Sequence, residues 1–467
     1  MYINLNSIRR TPASLLRKAG LSVAVLALSI SSAYAAGTFI QPDTSFKGSA
    51  GAWGSVNYAG GEATITGRAF TPGQEIVLSQ NGQVISGKAP LVADKDGAFE
   101  LKVAIPADAE VGQHTVVIQA SKPNAASVFD LKVSPKVPLS GQDAFELQSQ
   151  HLAPGVYQSA YSAKSDRLFV TSAVGRPPVK ESQLLKVNPK TLAIESSIKP
   201  AVQDGRDDGQ VQAVYGVGVD DANGNVWVTN TRSDTVAVYK QSDLSLVKQF
   251  PNDTASHARD VVVDAKNHRA YASSPGSNII TVFDTKTLDV LPPIALRGKT
   301  RGDVSLMSLA LDAGHGKLYT VSSGTNELFI VDLKKGEAEQ VYALPGARNA
   351  SGVAVDVKNQ QVYVASQGSD NLLIVDAKDG KVLHTIAVGA GALNVAFDPV
   401  RELAYVANRG AGTVTLVNPK GQIVANLEGG SYPNHVALDG KGNAFLLNKA
   451  KGKDDATADR ISLIHAK

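Results

Sequence analysis

The chain is 467 residues long, carries 46 Lys+Arg against 43 Asp+Glu, and contains no cysteine. A cysteine-free chain has neither a disulfide framework nor thiolate metal ligands, so its stability must come from packing. Its near-balanced charge excludes a globally basic polyanion binder, and its length exceeds one ordinary core.

Arg9, Arg10, Arg17 and Lys18 precede an apolar run over 21–30, and Ala33-Tyr34-Ala35 presents small residues where a signal peptidase reads. Such a run is too short to span a bilayer, which predicts a cleaved secretory signal over 1–35 and no membrane span. Cleavage is expected after Ala35, with Ala36 as the second choice. Arg9-Arg10 hints at twin-arginine export, but Pro12 and Ala13 follow where large apolar residues belong, so ordinary secretion is expected. The mature chain keeps 42 of the 46 Lys+Arg and all 43 Asp+Glu, a formal charge of −1.

Residues 37–135 read as short strands over 63–67, 75–78, 99–103 and 114–118. Pro72-Gly73, Asn81-Gly82, Asp96-Gly97 and Gly112 mark breaks between them. Period-two alternation broken by Gly, Asn and Asp predicts a half-buried antiparallel sandwich. Pro135 and Pro138 make 136–141 an extended linker.

From 142 to 467 one phrase, written at its clearest as Val226-Trp227-Val228-Thr229-Asn230, occurs seven times. Its aromatic residues are Phe169, Trp227, Tyr271, Tyr319, Tyr363, Tyr405 and Phe445, at intervals of 58, 44, 48, 44, 42 and 40 residues. Roughly 40–45 residues is the period of a propeller blade, and the insertion at 200–210 explains the long first interval. Each unit offers a strand ending in an acid (Asp220, Asp264, Asp312, Asp356, Asp398, Asp439), then the aromatic strand. A third strand follows, often ending in Asn188, Asp284, Asp332, Asp376 or Asn418. Carboxylates that recur once per unit lack the dense spacing of a calcium cage. They are expected to shape turns by bonding backbone amides, and no metal or cofactor is expected. The last unit lacks its outermost strand. The segment 144–148 is predicted to fill it and close the ring, giving seven blades of four strands.

The first 100 residues after the signal resemble bacterial immunoglobulin-like domains, on Gly67, Phe70, Pro72-Gly73 and Gly97-Ala98-Phe99. The repeats resemble the YVTN β-propellers, on strands such as 362–366 followed by 372–376. They also resemble the periplasmic YncE-like subgroup, on Gly155-Val156-Tyr157, Asn188-Pro189-Lys190-Thr191-Leu192, Phe397-Asp398-Pro399 and Tyr432-Pro433-Asn434. The resemblance implies an all-β chain, an immunoglobulin-like β-sandwich followed by a seven-bladed β-propeller over 142–467. It further implies a periplasmic, non-enzymatic protein linked to iron-limited expression, with single-stranded DNA as a family-suggested ligand.

In such a ring, the loops entering each innermost strand gather with the loops between second and third strands around one mouth. The entering loops supply the candidate ligand-binding residues Tyr157, Tyr215, His257, Arg259, Arg301, Arg348, Asn349, Asn394, Tyr432, Asn434 and His435. Guanidinium forks and rings suit an anionic or planar ligand. The bland alternatives are a local Arg259-Asp260 ion pair, and Asn394 and Asn434 as turn residues. The long loops 173–182 and 449–460 carry further lysines and arginines, which also fit solvated loops. No Gly-x-Ser-x-Gly, phosphate loop or His-Glu-x-x-His occurs; a lyase using His257 and His435 across the mouth is the minor enzymatic alternative. A monomer is expected, with an envelope protein as the alternative partner.

Overall fold

The computed structural model of the protein describes residues 41–452 and 454–467. The signal reading of 1–35 lies outside the described residues. No described helix is long and apolar enough to cross a membrane.

The N-terminal unit consists of two antiparallel sheets. One pairs Ser49–Gly51, Glu62–Arg68 and Phe99–Ala104; the other joins Gln83–Val84, Glu75–Gln80, Gly112–Ser121 and Ala125–Val133, with Leu91–Val92 also on Glu75–Gln80. Alternate residues of the expected strands point inward, so Ile65, Ile76, Leu78, Val116 and Ile118 are fully buried in one shared core with Phe70 and Phe99. Gly97 is required where it stands: its φ is +70°, and a Cβ there would lie 2.2 Å from the Phe70 carbonyl oxygen.

The repeats form seven antiparallel sheets. Blade 1 runs Val156–Ser162, Arg167–Ala173, Ser182–Val187 and Ile194–Ile198. Blades 2 to 6 have the same order, from the first strands Val217–Asp220, Asp260–Asp264, Leu306–Asp312, Ala350–Asp356 and Ala392–Asp398. Blade 7 holds Pro433–Leu438, Ala444–Asn448 and Arg460–Ala466, and its fourth strand is Phe145–His151 from the beginning of the repeat region. That strand pairs in continuous register from Ala466↔Phe145 to Arg460↔His151. The predicted closing segment is therefore in place, starting one residue later and running three residues further than expected.

Each repeat aromatic packs between its own blade and the next. Phe169 meets Val217 and Val226; Trp227 meets Val261 and Phe283; Tyr271 meets Leu306 and Leu318; Tyr319 meets Val353 and Val364. Tyr363 stacks on Phe397 at 4.9 Å, Tyr405 packs with Val436, and Phe445 reaches blade 1 at Val156 and Leu168. A lone unit cannot bury this face, so the repeats stabilise one another around a closed ring. Each such side chain contributes about 1.5–3 kcal/mol by leaving water.

The acids act as expected at the turns. Asp264 accepts the Asn267 amide (3.1 Å) and side-chain Nδ2 (2.7 Å), Asp356 does the same with Asn359, and Asp284 accepts the amides of Lys286 and Thr287. The linker is more constrained than a free spacer. Ser140 pairs with Asn426 of blade 6, whose Nδ2 also donates to the carbonyls of Val137 (3.1 Å) and Pro138 (3.3 Å).

Candidate functional site

The first strands surround a central channel, and the residue four places before each terminal acid or its counterpart faces the neighbouring blade. These residues are Gln158, Gly216, Asp260, Ser308, Gly352, Asn394 and His435. Four of them accept a backbone amide of the next blade. Val217 donates to Gln158 (3.3 Å), Leu309 to Asp260 (3.0 Å), Val436 to Asn394 (2.9 Å), and Ser159 to the His435 ring (3.4 Å). Asn394 and His435, both mouth candidates, thus hold blades together inside the channel. Arg259 lies beside this ring and donates to Ser308 Oγ at 2.9 Å. Burial, with the Arg259 charge adding to it, pushes the His435 imidazole down to about 3, so it stays neutral at ordinary pH. Burial pushes the Asp260 carboxyl up, against the opposing Arg259 charge and the amides of Leu309 and Val261. Asp260 accepts the Val261 and Leu309 amides, one on each oxygen, so backbone holds its carboxyl in place.

Above the channel, one side of the mouth gathers rings and cations. Tyr157 and Tyr215 meet edge to face at 5.2 Å. Lys449 Nζ sits 4.9 Å from the Tyr157 ring centre, and Arg409 lies 5.1 Å over Tyr432 with Lys451 at 6.0 Å. Asn434 ties these together: its Nδ2 donates to the Tyr157 carbonyl (2.7 Å) and its Oδ1 accepts Arg409 Nη1 (3.3 Å). Burial, reinforced by Arg409 and opposed by Asp459, pulls the Lys449 ammonium down to about 8. The Tyr215 hydroxyl is raised by burial and partly offset by Arg232, which also helps burial lower the His257 imidazole.

Local structure explains why these groups stand there. The long loops 173–182 and 200–210 pack on each other, with Val179, Ala173 and Ala213 beneath Tyr157 and Tyr215. The 449–460 loop is pinned, not free: Asp459 accepts the Gly155 amide (2.9 Å), Asp455 accepts the amides of Lys451 and Thr457, and Asn448 Nδ2 donates to the Thr457 carbonyl (2.5 Å).

The opposite side of the mouth is covered by the N-terminal unit. Lys132 donates to Asp370 Oδ1 (2.7 Å) and to the Gln367 carbonyl (3.2 Å), and Gln113 donates to the Gly368 carbonyl (2.9 Å). Arg348 Nη2 binds Asp130 at 2.6 Å. Gly410 lets the units approach, since a Cβ there would lie 3.1 Å from Val56 Cγ2. Arg348 is therefore an inter-unit ion pair, and Asn349 beside it is a left-handed turn residue with φ 51°. Arg301 stands exposed in the 297–305 loop, whose backbone is held by Glu327. His257, also left-handed, belongs with Arg232 and Asp234 at the rim, whereas His435 is inside the channel; the two have separate surroundings.

Of the sequence candidates, Tyr157, Tyr215, Tyr432 and Asn434 are brought together. Arg409 and Arg232 were missed. Both follow an aromatic strand that ends in Asn (Asn408-Arg409, Asn230-Thr231-Arg232), as does Asn448-Lys449, while of the strands ending in Ser only that of Ser172 leads into a loop with cations, Arg176 and Lys180. The Asn side chains brace these loops, as Asn230 does through the Gln212 carbonyl at 2.9 Å.

Ring, closing strand and channel together define a β-propeller with an additional N-terminal unit. No family model matches the chain. The proteins titled "Uncharacterized protein YncE" of Salmonella typhimurium and Salmonella typhi are each 24% identical to it over 335 residues, covering 67% of this chain and 89% of theirs. Among solved structures, the fold is similar to the Kuenenia stuttgartiensis hydrazine synthase, with TM-score 0.54 and 16% identity over 63% of this chain and 93% of that one. It is also similar to the RRP9 WD40 repeats, with TM-score 0.56 and 8% identity over 71% and 100%. These structural likenesses concern the fold alone.

Proposed function

We propose that the protein is an exported, non-enzymatic, monomeric binding protein of the periplasm, in which a YVTN-type propeller presents its mouth to an anionic or planar ligand. Single-stranded DNA is the ligand that the similarity to YncE-like proteins favours. The observation that carries this reading is the arc of Tyr157 and Tyr432 with Lys449, Lys451 and Arg409 set over their rings, Tyr157 being buttressed edge to face by the buried Tyr215. Stacking on aromatic faces contributes about 1–3 kcal/mol per base and tolerates any sequence, and the cations meet phosphate without a globally basic surface. The test is titration of the full chain with an oligothymidylate across salt concentrations. Contacts to Z phosphates predict a log–log slope near −0.7Z, and a flat response with no measurable affinity would reject the reading.

A second reading is a scaffold of the cell envelope, with the N-terminal immunoglobulin-like unit as the docking element. It is favoured by one observation: the outer face of that unit exposes the cross-strand pair Val117 and Val128. A stoichiometric partner that co-purifies with the full chain and is lost in a Val117→Asp/Val128→Asp variant would support it.

A further inference from the structure

A cavity of about 330 Å³ lies between the N-terminal unit and the ring. Two of its lining side chains are buried with a polar atom unused. Asn57, 5% exposed, donates Nδ2 to the Lys132 carbonyl at 3.2 Å, but its Oδ1 has no partner among the described residues. Ser134, 2% exposed, donates its amide to the Asn57 carbonyl at 2.8 Å, and its Oγ has none either. A buried polar atom left unsatisfied costs about 1–3 kcal/mol, so two such atoms on residues that line one cavity call for an explanation. On the propeller wall stands Arg409, over Tyr432; among the described residues its guanidinium is hydrogen-bonded at Nη1 alone, by the Asn434 amide oxygen. The other charges there are already matched: Lys132 binds Asp370, and Asp130 binds Arg348 and Thr115.

We propose that this cleft is a second binding site, for a small acid carrying an N–H or O–H donor beside its carboxylate, that is, an α-amino or α-hydroxy acid. The carboxylate takes the Arg409 fork, the commonest strong pairing for that geometry. The donor goes to Asn57 Oδ1, an acceptor by chemistry, and Ser134 Oγ can serve either group. The walls come from both units, so a bound ligand stabilises the docked arrangement over the parted one. Arg409 is shared with the mouth, but Asn57 and Ser134 belong to the N-terminal unit, and the site does not rest on the mouth reading.

The full chain is titrated calorimetrically with the proteinogenic L-amino acids, L-lactate and L-malate, and proteolysis of the 136–141 linker is followed with and without each. One of these acids is expected to bind with one-to-one stoichiometry and to slow linker cleavage. Arg409→Gln should weaken it at least tenfold and Ser134→Ala about tenfold. Ser134→Ala should leave the melting temperature unchanged or raised, because the hydroxyl is unpaired in the free protein, and should leave oligothymidylate binding as in the wild type. The two sites therefore fail separately. Absence of binding at millimolar concentration overturns the proposal, as does binding that Ser134→Ala leaves unchanged. A Ser134→Ala variant of lowered melting temperature also overturns it, by showing that an ordered water already satisfies the hydroxyl.

Discussion

The two sides of the propeller mouth are built from the same repeat yet are put to opposite uses. Over blades 5 and 6, loop groups meet the N-terminal unit through matched charge, Lys132 with Asp370 and Arg348 with Asp130. From blade 6 round through 7 to 1 and 2, Arg409, Lys451 and Lys449 face tyrosine rings and Arg232 lies beside Tyr215; none of the four has a carboxylate partner among the described ion pairs. An arginine in a mouth loop is thus not itself a ligand group. What decides is whether a carboxylate or a ring stands opposite.

The covered side depends most on Asp370, whose nearly buried carboxylate takes both the Lys132 ammonium and the Gly391 amide at 2.6 Å. Replacing Lys132 with Ala leaves that carboxylate buried with its cation gone, and breaking such a pair costs about 3–5 kcal/mol at full burial. Lys132 is partly exposed, so the lower end of that range is expected. Urea denaturation reads the loss, and faster proteolysis within 136–141 shows that the N-terminal unit has loosened.

Between the two sides, the channel should make stability fall with acid. His435 titrates at about 3 in the folded chain, below the ordinary imidazole value of 6.5, so the unfolded chain takes up a proton that the folded one refuses. This contribution is fully present above pH 6.5 and is lost progressively as pH falls toward 3. Between pH 7 and 5 the loss is about 2 kcal/mol. Chemical denaturation at the two pH values measures it, and a His435→Asn variant should show a correspondingly smaller difference.

The open side should respond to base instead. Lys449, with its ammonium lowered to about 8, loses charge as pH rises through that value. Oligothymidylate affinity should then weaken between pH 7 and 9 by roughly 1 kcal/mol, about fivefold, the order expected of one partly exposed charge contact. In Lys449→Gln the affinity should be lower at pH 7 and nearly flat over that interval. The smallest effect belongs to Arg348→Ala. The pair with Asp130 is half exposed, so the change in stability should lie within about 0–1 kcal/mol, as thermal melting would show.

The ring was legible in sequence because its causes are periodic. Each aromatic from Phe169 to Phe445 recurs where an inter-blade core must be filled, and the strand missing from the last repeat pointed to 144–148, where Phe145–His151 now lies. The site was less legible, because a loop side chain's role depends on what lies opposite in space. Nothing about Arg348 in sequence reveals that Asp130, 218 positions away, will pair with it. Lys132 and Asp130 lie outside the strands expected from sequence, on Ala125–Val133, so the docking of the two units was invisible. Asn394 and His435 look like loop groups, but register places them where they cap the next blade's backbone. The cations following Asn230, Asn408 and Asn448 did carry a readable signal, in loops between second and third strands.

The most direct test of this division is oligothymidylate affinity at fixed low salt for two double variants, Arg409→Gln/Lys449→Gln on the open side and Arg348→Gln/Lys132→Gln on the covered side. The open-side variant should lose at least tenfold in affinity and show a salt slope shallower by about 1.4, two contacts at −0.7 each, while the covered-side variant binds as tightly as the wild type or more so. Equal loss in both, or loss in the covered-side variant alone, would contradict the assignment of binding to the arc around Tyr157 and Tyr432.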